Sequence, residues 1–129
     1  MPAAPKAASA CRRSAGPSLR LRHKRDFDRV FNQPLRSARR HFTVLARSNQ
    51  LNHARLGLAV SKKVDKRAVV RNRIKRMVRE SFRLDPIAAA ALDVVVIARP
   101  PAALEQPRAV RRELADHWQR LMKLAEQAD

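Results

Sequence analysis

One continuous segment, from Ala68 to Arg83, constrains the fold more than any other part of the chain. It contains neither Gly nor Pro, and its apolar residues recur at the spacing of an α-helix. A helical projection places these residues, with Leu84 just beyond, within about a third of the circumference: Val70, Ile74, Met77, Val78 and Leu84. Cations and one amide occupy the opposite side, where Glu80 is the only acid: Asn72, Arg73, Lys75, Arg76, Arg79 and Arg83. We therefore predict an amphipathic helix that packs on a core and exposes a cationic face.

The cations of this helix repel one another, because Arg73, Arg76 and Arg79 follow at three-residue intervals. Each such pair costs about 0.2–0.5 kcal/mol. A helix that only had to be soluble would alternate acids with bases, whereas polyanionic phosphate would relieve the repulsion. The alternative is a solvated basic face without a partner. The net charge of +18, from 29 Lys and Arg against 11 Asp and Glu, favours nucleic acid over that alternative.

A short helix is predicted upstream, from Lys24 to Phe31, with Pro34 as its stop. Phe27, Val30 and Phe31 follow at helical spacing and form one apolar edge. Phe side chains on a short helix are usually core anchors, and the residues by themselves favour that interpretation. The alternative is an exposed aromatic edge on which unpaired bases stack.

Alternating side chains predict strands over His41–Ser48 and Arg55–Ser61, which a short polar connection joins. The β-branched run Val94–Ile97 predicts a strand that is covered on both faces. Leu35–Arg40 is a basic connection that leaves room for a short edge strand. A last helix is expected from Pro107. Its apolar stripe, with the Trp as a core anchor, comprises Val110, Leu114, Trp118, Leu121 and Leu124.

The first two of these strands have unequal faces. Leu56, Leu58 and Val60 would form a bulky apolar face that packs on a helix. The opposite face carries smaller or polar residues, among them Gly57, which permits close approach of another backbone. Beside a cationic helix, such a floor would accommodate an extended strand. The alternative is that Gly57 marks a β-bulge and Ala59 packs beneath another helix.

No catalytic or metal-binding constellation is evident in the sequence. The histidines show no metal-ligand spacing with one another or with the single cysteine, Cys11: His23, His41, His53 and His117. With two Gly in all, the chain has no Gly-rich phosphate loop, and its acids form no cluster typical of a two-metal nuclease. The sequence alone therefore predicts a binding protein with no catalytic residues and no metal site.

Compartment and domain limits can be predicted from composition. A single cysteine excludes an internal disulfide and indicates a reducing compartment, so we expect a cytoplasmic protein. The apolar runs Ile87–Leu92 and Val94–Ala98 are too short to cross a bilayer, and no secretory signal is apparent. We predict a disordered basic tail over 1–19, one domain over 20–125 and a short tail over 126–129. A mitochondrial transit peptide is the alternative for the N-terminus, although its prolines argue against one.

The segment from Arg71 to Arg76 reads Arg-Asn-Arg-Ile-Lys-Arg and resembles the RNR signature of the protein subunit of bacterial ribonuclease P. The resemblance extends upstream through Leu56–Lys63 to Arg25–Phe31, and downstream to Asp93–Ala98. These segments occur in the order and spacing of the family from about Leu21 to Leu124, which makes the resemblance more specific than any one motif.

The resemblance implies an α+β fold, an α–β sandwich in the order α-β-β-β-α-β-α with a mixed sheet. It also implies a left-handed β-α-β crossover, against the general rule. The chain would be the RNA-binding subunit of an endoribonuclease that removes the 5′ leader of precursor tRNA. Its partners would be the catalytic RNA subunit and precursor tRNA, with neither membrane nor DNA expected. Catalysis and Mg²⁺ would belong mainly to the RNA, and the protein would strengthen the binding of substrate and Mg²⁺.

Two binding surfaces follow from the resemblance as hypotheses. The RNA-subunit surface comprises Lys62, Lys63, Arg67, Arg71, Asn72, Arg73, Lys75, Arg76 and Arg79. The leader surface, for the single-stranded 5′ leader, combines a floor with an aromatic wall: Thr43, Leu45, Gly57, Ala59, Phe27 and Phe31. One alternative is a structural RNA-binding protein of the ribosomal-protein type, which needs no leader groove. Another is a DNA-binding module whose basic helix enters a major groove.

Overall fold

The alternating and helical patterns of the chain produce a four-stranded sheet with helices on both faces. A computed structural model describes residues 20–21, 23–32 and 34–128. The tail predicted over 1–19, which includes Cys11, lies outside these residues. The helices and strands are α1 Lys24–Phe31, β1 Leu35–Ala38, β2 Phe42–Ser48, β3 Arg55–Ala59, α2 Ala68–Leu84, β4 Leu92–Ala98 and α3 Pro107–Ala128. Short 3₁₀ turns cover Pro86–Ala89 and Pro100–Ala103.

The strands lie in the order β1-β2-β4-β3. β2 is antiparallel to both β1 and β4, whereas β3 runs parallel to β4, so the sheet is mixed. The parallel pair is joined through α2, the connection for which the family resemblance predicts a left-handed crossover. These elements confirm the predicted α+β class and the order α-β-β-β-α-β-α. α3 continues through residues 126–128 of the predicted C-terminal tail.

The main core lies between one face of the sheet and helices α2 and α3. Trp118 is fully buried there, as predicted, and its ring meets that of Phe82 edge to face at a centroid distance of 5.6 Å. Its indole N–H donates to Ser81 Oγ over 2.9 Å. The predicted stripe of α2 is correct for Val70, Ile74, Met77 and Val78, but wrong for Leu84, which is 70% exposed. Phe82 takes its place, because α3 crosses α2 on the side where Phe82 projects.

A smaller apolar cluster fills the other face of the sheet, beneath α1. It consists of Leu21, Val30, Leu45 and Val95, with Phe27 and Ile97 packed against it. Successive residues of β4 therefore contribute to opposite faces: Val94 and Val96 join the main core, and Val95 joins this cluster. This arrangement confirms the prediction that β4 is covered on both faces, and it explains the unbroken run of β-branched residues.

Glu113 of α3 is the centre of a buried polar network. Its carboxylate accepts hydrogen bonds from the backbone N–H groups of His41, at 3.1 Å, and Phe42, at 2.9 Å. His41 Nδ1 lies 2.8 Å from the same carboxylate. His117 lies 3.3 Å from it through Nε2 and 2.7 Å from Ser37 Oγ through Nδ1, and burial lowers the pKa of this imidazole. The network attaches the β1–β2 turn to α3. It gives two of the histidines, His41 and His117, hydrogen-bond partners within the fold.

Candidate nucleic-acid interface

An open cleft of about 890 Å³ runs between α1 and α2, along the outer edge of β3. We call it the edge cleft. Its floor is formed by Leu56 and Leu58 of β3, and Leu21 lies beside them. One wall carries Phe27 of α1. Residues of α2 form the other wall: Asn72, Lys75, Arg76, Arg79, Glu80, Phe82 and Arg83. Arg20 lies at the same cleft.

The segment before α1 closes part of the exposed edge of β3. The backbone N–H of Leu21 donates to the Leu56 carbonyl over 3.0 Å, and Arg20 forms a parallel bridge with Leu56. Because β3 is an edge strand, this pairing holds the backbone of Arg20 and Leu21 at the cleft. The side chain of Arg20 is thereby brought to the mouth of the same depression as the cations of α2.

The wall formed by α2 is strongly cationic. Lys75, Arg76, Arg79 and Arg83 line the cleft with a single acid, Glu80. None of these four cations forms an ion pair with an acid among the residues that the structure describes. Partial burial lowers the pKa of the Arg79 guanidinium, and the nearby charge of Arg20 lowers it further. The wall is therefore positively charged and available to an anion.

The aromatic wall depends on a glycine. A Cβ atom placed on Gly57 would lie 2.6 Å from Cε1 and 2.7 Å from Cζ of Phe27, closer than van der Waals contact. The absence of a side chain at position 57 thus lets the Phe27 ring rest directly on β3. Phe27 is half-buried in this position, partly packed on the cluster beneath α1 and partly open to the cleft.

Helix α1 is fastened to the sheet by an ionic network. Arg55 forms a two-pronged interaction with buried Asp93, with Nε to Oδ1 at 2.8 Å and Nη2 to Oδ2 at 2.7 Å. The same guanidinium reaches Asp26 of α1 at 3.6 Å, and Asn49 donates to Asp93 over 2.9 Å. The hydrogen bond to Asp93 raises the pKa of Arg55, whose burial acts in the opposite direction. At the other end of α1, Arg47 donates to the carbonyls of residues 29 and 32.

We expect Gly57→Ala to displace the Phe27 ring, because the new methyl group would occupy the position of the ring edge. The free energy of unfolding should fall by about 1–3 kcal/mol, the usual cost of overpacking. Urea denaturation of the full chain would measure it. Ala59→Ser, at an exposed position of the same strand, is the matched control and should be nearly neutral. Equal stability of Gly57→Ala and the control would contradict the close packing of ring and strand.

The floor of the predicted leader surface is divided by α1 into a covered row and an open row. Leu45, Val95 and Gly57 are cross-strand neighbours and all lie buried under α1. The next row crosses the whole sheet and ranges from half-buried to exposed: Ala38, Thr43, Ile97 and Ala59. The open row ends at Ala59, one residue beyond Leu58 of the edge cleft. Ala59 is thus exposed and Thr43 half-buried, whereas Leu45 and Gly57 lie buried and support α1.

The remaining predicted residues of the RNA-subunit surface separate into two groups. Arg67 is paired with Asp65 at 3.0 Å, and this hydrogen-bonded contact lowers the pKa of Asp65 to about 2. Arg71 Nη1 donates to the carbonyls of residues 65 and 66, so both arginines organise the turn before α2. Lys62, Lys63 and Arg73 are exposed and, within the described part of the chain, have no acidic partner.

Phe31 lies one turn beyond Phe27 and is 49% exposed, so the core role that the residues by themselves favoured is wrong for this side chain. It does not line the edge cleft. Among the residues that the structure describes, no group of His, Cys, Asp and Glu could hold a metal ion. The helices of the described chain include none that is long and apolar enough to cross a membrane.

Seven of the twelve residues that line the cleft were absent from both predicted surfaces: Arg20, Leu21, Leu56, Leu58, Glu80, Phe82 and Arg83. Arg20 lies at the predicted boundary between tail and domain, and its position depends on pairing with Leu56, far along the chain. The only sequence signal for an extended segment there is the alternation of Leu19, Arg20 and Leu21. Three residues are too few to establish a strand pattern. The helical pattern predicts Arg83 on the cationic face of α2, and in the structure Arg83 lines the cleft.

Comparison with known proteins identifies relatives over nearly the whole domain. The model of the family described as Ribonuclease P matches residues 16–122. The "Ribonuclease P protein component" of Idiomarina loihiensis is 44% identical over 115 residues, which are 88% of this chain and 92% of that protein. The protein of the same name from Methylococcus capsulatus is 48% identical over 101 residues, which are 78% of this chain and 79% of the relative.

Solved structures agree with this assignment. The RNase P protein of Staphylococcus aureus superposes with a TM-score of 0.72 at 34% identity, covering 84% of this chain and 96% of that one. The RNase P protein of Thermotoga maritima superposes with a TM-score of 0.70 at 34% identity, covering 78% of this chain and 96% of that one. Family model, sequence relatives and fold therefore agree, and the chain belongs to the ribonuclease P protein family.

Proposed function

We propose that this chain binds the single-stranded 5′ leader of precursor tRNA in the edge cleft while its basic surface binds the catalytic RNA subunit. As a ribonuclease P protein component, it is part of an endoribonuclease holoenzyme and has a role in tRNA processing with the RNA subunit. The single observation that carries the finer proposal is a cleft with an aromatic ring on one wall and cations on the other.

Single-stranded RNA binds where bases can stack and phosphates meet positive charge. Phe27 offers a ring at the cleft, and Arg76 and Arg79 lie across from it on α2. The open row ends at exposed Ala59, next to Leu58 in β3, and its residues Thr43 and Ala59 offer small side chains to an extended strand. Phe31, exposed one turn after Phe27, extends the aromatic edge of α1. The leader path is therefore Phe27, Phe31, Thr43 and Ala59, with Leu45 and Gly57 as its support.

The catalytic RNA would meet the cations outside the cleft. Lys62, Lys63 and Arg73 are exposed and have no acidic partner within the described chain, which favours contact with phosphate. Arg67 and Arg71 shape the turn between these lysines and α2, and Arg67 is exposed there. The Mg²⁺ used in catalysis would be bound mainly by the RNA. The protein would strengthen Mg²⁺ binding by neutralising nearby phosphate repulsion, and we place this activity in the cytoplasm.

The test is cleavage of precursor tRNA by the RNA subunit at limiting Mg²⁺, with and without the protein. We expect the protein to increase cleavage, and to do so more for a substrate with a leader of several nucleotides than for one with a single leader nucleotide. Equal stimulation of both substrates would contradict leader binding. No stimulation of either would favour a purely structural RNA-binding protein.

A further inference from the structure

We propose that Arg20 and Arg79 form a site for one phosphodiester group of the leader in the edge cleft. The inference rests on the proposed function and deepens it. It assigns an RNA contact to Arg20, which precedes the α1 helix, and it assigns Arg79 to the leader as well as to the cationic face of α2. The chemical class of ligand is the phosphate of an unpaired RNA strand.

The two arginines reach the edge cleft from separate elements of the fold. Arg20 is held at the cleft by its bridge to Leu56 and by the hydrogen bond of the following residue to the same strand. Arg79 of α2 lines the same cleft, which is also lined by the apolar residues Leu56 and Leu58. Two guanidinium groups from separate elements thus border one depression. Guanidinium groups suit phosphate because their planar donors can pair with two oxygens at once.

The positive charges of Arg20 and Arg79 act on each other. Arg79 is partly removed from solvent, and the charge of Arg20 is close enough to disfavour its protonated form further. Both side chains nevertheless stay charged at neutral pH, since an arginine is not deprotonated in proteins. Two like charges that share a partly desolvated cleft repel each other. A phosphate between them would turn that repulsion into attraction.

Phe27 lines the same cleft on its other wall, so a phosphate at Arg20 and Arg79 would leave an adjacent base within the cleft that contains the ring. An aromatic ring accepts any base by stacking, and phosphate contacts carry no sequence information. Such a site would hold leaders of many sequences, provided that they are unpaired.

The experiment uses the holoenzyme and precursor tRNA in which one leader phosphate at a time is a neutral methylphosphonate. The reference substrate has the same sugar at the altered nucleotide as the methylphosphonate substrate, but a normal phosphate. For the unaltered protein we expect one position to weaken substrate binding about tenfold, as for loss of a charge-assisted hydrogen bond. In the double variant Arg20→Gln, Arg79→Gln, neutralising the phosphate at that position should not weaken substrate binding further. The double variant Arg108→Gln, Arg112→Gln, with exposed α3 positions outside the cleft, should respond as the unaltered protein does.

The outcomes separate this site from the proposed function. If the leader increases binding but the Arg20 and Arg79 variant keeps the full response at every phosphate, the phosphate site is overturned and leader binding stands. If the variant loses affinity for the RNA subunit alone and no leader phosphate matters, the phosphate belongs to the ribozyme and the leader assignment is overturned. If the unaltered holoenzyme gains nothing from a leader, both proposals fail. Thermal unfolding of each variant identifies any loss caused by misfolding, and Arg20→Lys with Arg79→Lys should recover part of the binding.

Discussion

Replacing Lys62, Lys63 and Arg73 together by Gln is expected to weaken binding to ribonuclease P RNA roughly a hundredfold at moderate salt, if each contact contributes about 1 kcal/mol. All three residues are exposed outside the edge cleft and lack an acidic partner within the described chain. The logarithm of affinity should also fall less steeply with the logarithm of salt concentration. We expect the slope to decrease by about 2–3, since each lost phosphate contact removes about 0.7–0.9.

Filter binding or calorimetry over a series of salt concentrations measures both quantities. The matched control replaces Arg108, Arg112 and Lys123 by Gln, which removes the same charge from exposed positions of α3. That control should lower affinity slightly and leave the slope close to that of the unaltered protein. An equal change in slope for the two triple variants would mean that net charge alone attracts RNA, without a defined contact surface.

The second large effect is expected from Phe27→Ala. One stacked base contributes about 1–3 kcal/mol, so KM for a substrate with a leader should rise about 5- to 150-fold. Affinity for the RNA subunit alone should change little, because the ring faces the cleft and not the exposed cations Lys62, Lys63 and Arg73. Loss of the packing beneath α1 also lowers stability, so the comparison is made at a temperature where the variant is folded.

Leu104→Ala is the control for loss of an apolar side chain, because Leu104 is 88% exposed and lies outside the cleft. It should have no leader-dependent effect. Phe31→Ala should show an intermediate effect, since Phe31 is exposed on the same edge of α1 but does not line the cleft. If Phe27→Ala weakens RNA-subunit binding and leader binding to the same extent, the ring has a structural role only.

Local periodicity predicted the elements of this fold well, because a helix or a half-buried strand has to repeat its apolar residues at a fixed spacing. α1 and α2 lie where the pattern places them, and Trp118 is the core anchor it was expected to be. Periodicity indicates on which side of a helix a residue lies, but it does not show which neighbouring element packs on that side. Leu84 was therefore assigned to the core, although α3 covers the side of α2 where Phe82 projects.

The binding surface was harder to predict because it depends on which rows of the sheet α1 covers. Alternation correctly gave Thr43 and Leu45 the same face, but the cross-strand register decides that Leu45 is buried and Thr43 is not. The role of Gly57 also depends on which rows α1 covers. Gly57 makes room for the ring of Phe27, which lies thirty residues earlier in the chain. The β-bulge alternative considered for Gly57 does not apply, because β3 pairs with β4 in an unbroken register.

Long-range polar contacts left no local pattern. Glu113 reaches His41 across more than seventy residues, and Arg20 reaches the cleft only through its pairing with β3. The pair of Asp65 with Arg67 is different, because an isolated acid within a basic turn indicates a local partner. The cationic face of α2 was predictable in full, yet only the structure divides it between the cleft and the surrounding surface.

The most direct test of the central claim is a cross-link from the junction of the edge cleft and the open row. Ala59→Cys, made with Cys11→Ser so that it is the single thiol, would carry a photoactivatable group in a holoenzyme with precursor tRNA. Ala89→Cys, at an exposed position outside the cleft, is the matched control. The predicted result is cross-linking of Ala59→Cys to leader nucleotides and none from the control. Cross-links from Ala59→Cys to the RNA subunit alone, or equal leader cross-linking from both positions, would contradict it.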